Sequence, residues 1–143
     1  MSAALIAGLF FTVALLVVTA YFLMGSLPLL ILKHDVPMDS RFVRGFFNIY
    51  CLAAMFTAGA TALAYALADK LAVAAGAAAL ALVAIALRWQ VIPKMDALRA
   101  RIQASEASAI AGFRRVHMAV IALNLVQLVF IVWVLIAVSI QMK

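Results

Sequence analysis

The sequence predicts an all-α integral membrane protein, an antiparallel bundle of four helices, and three observations carry that prediction. Of the 143 residues, 70% are hydrophobic and only 11% are charged, whereas a soluble domain is nearer half apolar and a quarter charged. A chain this short has too little interior to hide the surplus, so apolar surface must face lipid. Four apolar runs follow one another, each close to the roughly 20 residues that cross a hydrocarbon core as a helix. The basic residues collect between alternate runs. Of the eleven Lys and Arg, nine fall in two stretches: Lys33, Arg41 and Arg44, then Arg88, Lys94, Arg99, Arg101, Arg114 and Arg115.

The first span is read at 3–32, with Gly25-Ser26-Leu27-Pro28 near its end and a kink expected at Pro28, which lacks a backbone donor. No Lys or Arg precedes it, and it is longer than the apolar core of a signal peptide, so it reads as a retained span. The second span is read at 46–68, closed by a tight turn at Asp69-Lys70. The third, 71–93, is purely apolar only to Leu87. Arg88 extends it by snorkelling, and Trp89 sits at the interface. The fourth runs over 108–140. Beyond Pro93, Met95, Leu98 and Ile102 recur at helical spacing. Spans three and four are therefore expected to continue as a helical hairpin, with its polar turn near 103–108. An amphipathic helix lying on the membrane is the competing arrangement.

The positive-inside rule places both basic stretches in the cytoplasm and both termini on the other side, as an even number of spans requires. The net charge of +6 is thus a topology signal rather than a nucleic-acid footprint, and no nucleic-acid binding is expected. The basic rim would attract anionic lipid headgroups by about 1 kcal/mol per residue. The single cysteine, Cys51, excludes an intrachain disulfide and lies in an apolar run as a packed thiol. Spans two and three are crowded with small residues: Ala58-Gly59-Ala60 in one, nine alanines and Gly76 in the other. Small residues let helix backbones approach within lipid.

Polar groups inside lipid are costly, which makes those present informative. Span four holds His117, Asn124 and Gln127 on one stripe, Asn124 about 20° and Gln127 about 80° around the helix from His117. Span two holds Asn48, Tyr50, Cys51, Thr57, Thr61 and Tyr65, and span one Thr12, Thr19 and Tyr21. These groups either bond across helices and fix their register, or line a cavity for a small ligand, quinone, metal or haem. The two histidines, His34 and His117, both fall at the cytoplasmic face. If spans one and four are neighbours, the imidazoles approach each other. With Met38 or Met118 they would suit copper, and as a pair they would suit haem iron. Arg114 and Arg115 snorkel to phosphates, or one of them pairs with Asp35, Asp39, Asp96 or Glu106 or binds an anionic substrate. No span contains a carboxylate, which argues against a proton-driven pump of the familiar type. A nucleophile elbow, a phosphate loop and an HExxH element are all missing from the sequence.

Several segments resemble, in order, the family of small four-helix membrane proteins related to eukaryotic transmembrane protein 205, whose bacterial members form a domain of unknown function. These are Gly25-Ser26-Leu27-Pro28, Asp39-Ser40-Arg41-Phe42-Val43 leading into Phe47-Asn48-Ile49-Tyr50, Pro93-Lys94-Met95-Asp96-Ala97-Leu98-Arg99, and Phe113-Arg114-Arg115-Val116-His117 followed by Asn124-Leu125. Ala119 stands where the family pattern suggests a small hydroxyl residue. The resemblance implies the four-span topology, a bacterial cytoplasmic (inner) membrane and no known activity. More distant likenesses are to anthrone-oxygenase-like proteins and the copper resistance protein D group. Three functions follow as expectations. The first is a non-enzymatic accessory or assembly subunit, in contact with other membrane subunits or with itself. The second is a haem-, copper- or quinone-binding protein using His117, Asn124, Gln127 and His34. The third is an oligomeric small-solute transporter.

Overall fold

The computed structural model describes residues 2–31, 33 and 37–140, folded as α1 Ala3–Leu29, α2 Pro37–Leu67, α3 Leu71–Gln103 and α4 Ala107–Ile140. All four helices are long and apolar enough to cross a membrane. The protein is a small all-α integral membrane protein.

Local chemistry sets each helix end. Ser2 caps α1, its hydroxyl accepting the Leu5 N–H at 3.2 Å. The helix stops one residue past Pro28, so the missing donor falls in the last turn. Helix α2 begins at Pro37, ahead of the apolar span read from position 46. A proline at the first helical position is pre-set for the helix, and Asp39 complements the positive end of the helix dipole. Arg41 and Arg44 are consequently helical residues, not loop residues. The other two connections are tight turns of one design. Asp69 (φ 57°) and Ser105 (φ 64°) take the left-handed conformation. The next N–H in each turn, from Lys70 and Glu106, reaches back to the carbonyls of Tyr65 and Arg101 at 2.9 and 3.1 Å. Helix α3 passes unbroken through Pro93, and α4 starts at Ala107. The helical hairpin is therefore formed, and the surface-lying helix is not.

The helices form a ring in which α1 packs on α2 and α4, and α3 packs on α2 and α4. Spans one and four are neighbours, as the histidine argument required. The buried positions of α1 include Gly8, Thr12, Leu15, Thr19, Phe22 and Ser26, alternating steps of four and three, with Leu23 buried beside Phe22. That spacing keeps one stripe facing its neighbours in an up-down bundle. Large apolar side chains such as Phe10, Val17, Met24, Phe56, Val126 and Trp133 point outward. The interior holds Thr12, Thr19, Ser26, Ser40, Thr61, His117 and Asn124. These polar groups sit among buried apolar side chains such as Phe22, Phe47 and Phe113; water would oppose so much exposed apolar surface, whereas hydrocarbon permits it.

Two glycines allow α1 to meet α2. A Cβ on Gly8 would lie 3.0 Å from the Tyr65 ring, and one on Gly25 would lie 2.6 Å from the Phe46 ring. Phe46 cannot step aside freely, because Tyr21, Phe22 and Phe42 surround it at centroid distances of 6.0, 5.6 and 6.4 Å. Gly25→Val should therefore lower stability by about 1–3 kcal/mol, the usual range for overpacking. Unfolding by SDS titration from mild detergent measures this, and Phe46→Leu in the same chain should restore most of the loss.

Candidate functional site

Most hydroxyls in the bundle bond back to their own helix. Thr12 donates to the Gly8 carbonyl at 2.7 Å, Thr19 to Leu15 at 2.9 Å and Thr61 to Thr57 at 2.8 Å. Each proton is used, but each oxygen can still accept. Thr12 does so: the Tyr65 hydroxyl lies 3.2 Å away, in the interface of α1 and α2.

The central polar cluster crosses the ring from α2 to α4. Tyr50 donates its phenolic proton to the Asn124 carbonyl oxygen, and Asn124 donates through Nδ2 to the Val120 carbonyl at 2.8 Å. Asn124 is fully buried. Gln127 Oε1 lies 3.2 Å from the same phenol, while its buried Nε2 has no partner among the described residues. Tyr50 has a single proton to give. A half-turn of the Gln127 amide would present N–H to the phenol oxygen and satisfy both groups. The Thr19 hydroxyl flanks Tyr50, and Phe22 stacks on its ring at 4.2 Å. Tyr50 is thus held by α1 on one side and by two amides of α4 on the other.

His117 lies seven residues before Asn124, on the same face of α4, and is 1% exposed. The structure brings His117 and Asn124 onto one buried stripe, with Gln127 half-buried beside it. His34 lies outside the described residues, as does Asp35. Met38 and Met118 are exposed. Among the described residues, no three His, Cys, Asp or Glu side chains gather as a metal-binding group. Farther along the bundle, Thr12, Thr61, Phe130 and Ile131 help line a void of about 20 Å³ between the helices. That is room for one water.

The arginine-rich end is tied by charge. Arg44 on α2 grips Asp96 on α3 through two bonds of 2.9 Å, and Arg99 adds a third at 3.2 Å. Arg88 reaches Asn48 at 3.2 Å, and Arg101 holds Glu106 at 2.8 Å across the α3–α4 turn. Arg114 points a guanidinium nitrogen at the Leu30 carbonyl, 3.5 Å away at the end of α1. Asp96 and Glu106 are therefore engaged by arginines other than Arg114 and Arg115. Asp96 stands beyond Pro93, in the polar extension of α3 outside the apolar span. The Arg44 guanidinium holds its carboxyl below the usual carboxylate range.

No family model matches the chain, and neither the curated proteins nor the solved structures contain a match to it. Tyr50 was visible in the sequence only as one of several polar residues in span two. Its role emerges because α2 and α4 face each other across the ring, a relation that spacing along one helix does not contain.

Two tests follow. A double-mutant cycle on Tyr50→Phe and Asn124→Leu should give a coupling of about 0.6–1.7 kcal/mol; zero coupling would mean that the two groups act independently. For Asp96, the lowered carboxyl makes the link fully present above the unfolded carboxylate value of about 3.9. It is lost as pH falls through the still lower folded value. Asp96→Asn should cost no more than about 1 kcal/mol at neutral pH, since both partners are partly exposed. It should also remove this acid-dependent component from the unfolding curve.

Proposed function

We propose that the protein is a non-enzymatic accessory subunit, seated through the outer face of α3 beside a transmembrane helix of a larger membrane complex. The observation that carries this reading is what α3 presents outward. Ala72, Ala75, Ala79 and Ala86 are exposed along one stripe, interrupted by Leu82 and ending at Trp89. The outer faces of α1 and α4 carry large side chains instead, including Phe10, Val13, Val17, Val126, Val129 and Trp133. Lipid makes no demand for alanine, whereas a second helix does, because small residues let backbones close and gain dispersion contacts. On this reading the chain lies in a bacterial inner membrane with both termini on the non-cytoplasmic side, as its cation distribution favours. It would be related to the transmembrane protein 205-like bundles that its short motifs resemble.

The second reading rests on the burial of His117. With Asn124, Gln127 and His34, it would make the arginine-rich half a site for copper, haem iron or a quinone. A visible spectrum and elemental analysis of the purified protein test this; a colourless, metal-free preparation unaltered by His117→Ala counts against it. An oligomeric small-solute transporter would need its path between copies, since the void near Thr12 and Thr61 within one bundle has room for about one water.

The subunit reading is tested with a photo-reactive phenylalanine analogue placed at Ala79 and, as a control, at Val126 on the outer face of α4. Irradiation of intact membranes should yield one discrete protein adduct from position 79 and only lipid adducts from position 126. A solitary monomer in mild detergent, with lipid adducts alone from both positions, would overturn it.

A further inference from the structure

The outer seam between α1 and α2 is built differently from the alanine stripe. Phe46 wedges into the notch at Gly25 and borders three clefts, two on the seam and one on the adjoining outer face of α2. One, of about 190 Å³, runs along Val17, Tyr21, Ile49 and Ala53 toward the Tyr50 ring. Another, of about 370 Å³, lies against Tyr21, Met24, Gly25 and Leu29. The third, of about 350 Å³, is bordered by Met38, Phe42, Gly45, Ile49 and, at its polar end, Arg41. All three share Phe46.

Arg41 differs from the other arginines of α2 and α3. Arg44 and Arg99 are on Asp96, Arg101 is on Glu106, and Arg88 is on Asn48. Arg41 is exposed and has no ion pair or hydrogen bond to another described residue. Asp39 is two positions away and so points to nearly the opposite side of the helix. An unneutralised guanidinium thus borders the apolar cleft on α2, which meets the two seam clefts at Phe46, at the end of the bundle where the cations collect. That combination is complementary to a molecule with an anionic head and a flexible apolar tail.

We propose that the α1–α2 seam binds one anionic phospholipid, with its phosphate on Arg41 and an acyl chain in the clefts around Phe46. A guanidinium offers a phosphate paired N–H donors in the matching plane. An acyl chain fits clefts of uneven width because it adjusts its own torsions.

Native mass spectrometry of the full chain, titrated with phosphatidylglycerol or phosphatidylcholine of identical acyl composition, tests the proposal. The wild type should retain one phosphatidylglycerol with about a fivefold preference, which corresponds to about 1 kcal/mol from one basic residue. Arg41→Gln should reduce that preference to near unity. Arg115→Gln, at an exposed arginine of the same end that borders none of these clefts, should leave it intact. Gly45→Leu separates cleft from charge, because a Cβ at Gly45 meets no heavy atom within 4 Å. Its side chain enters the cleft at a position with room for it and gains helix propensity, so phosphatidylglycerol retention should fall several-fold with no loss of melting temperature. Equal retention of the two lipids by wild type would overturn the proposal, as would an undiminished preference in Arg41→Gln. Undiminished retention in Gly45→Leu would do so too, by leaving only a headgroup contact. The seam is remote from Ala79 in sequence and on different helices, so this result and the cross-linking result can fail independently.

Discussion

A helix inside a bilayer gains nothing by exchanging lipid for leucine, and the whole bundle is arranged around that constraint. What remains to hold helices together is close packing and the shortage of partners for polar groups in hydrocarbon. The interior accordingly contains what a soluble core avoids. Thr12, Thr19, Thr61 and Asn124 are buried, while many large apolar side chains, among them Phe10, Phe56, Val126 and Trp133, face out. Gly8 and Gly25 are the complement of this arrangement, removing side-chain volume where α1 must lie against Tyr65 and Phe46.

The two kinds of polar link do different work. Tyr50 and Asn124 join helices that face each other across the ring, inside hydrocarbon, where a broken bond leaves a group that water cannot rescue. Arg44 and Asp96 join adjacent helices at the polar end, where both partners can return to solvent. The first link specifies which faces of α2 and α4 look inward. The second fixes how the polar extension of α3 stands against the start of α2. Neither is large in energy, so the specificity they confer comes from their positions.

Much of the fold was legible because its signals are local. Four long apolar runs, punctuation at Asp69-Lys70 and helical spacing after Pro93 are properties of neighbouring residues, and each has its counterpart in a helix or turn. The start of α2 was less legible. Charged residues at Asp39, Arg41 and Arg44 lower the apolar signal, although Pro37 and Asp39 together make a good helix start. The buried stripe of His117 and Asn124 could be read from one helix, but its partner could not. Tyr50 meets Asn124 because the ring order puts α2 opposite α4, and ring order depends on four interfaces at once. The pairing of His117 with His34 was a proposition about two segments, and His34 falls outside the described residues.

The two outer faces also differ in a way that bears on what covers them. Between Leu71 and Leu82 the outer stripe of α3 carries only alanine, at positions 72, 75 and 79, and a rigid helix can approach closely there. The α1–α2 seam is uneven, because clefts open on either side of Phe46, and Phe42 beside it is exposed. A rigid helix would bridge such relief and leave voids beneath it, losing the dispersion contacts that are its main reason to bind. A fluid chain loses little, since it bends to follow the surface. Arg41 then gives a charged amphiphile an advantage over a neutral one. Surface relief, more than apolarity, therefore separates a face suited to protein from a seam suited to lipid, because both are equally at home in hydrocarbon.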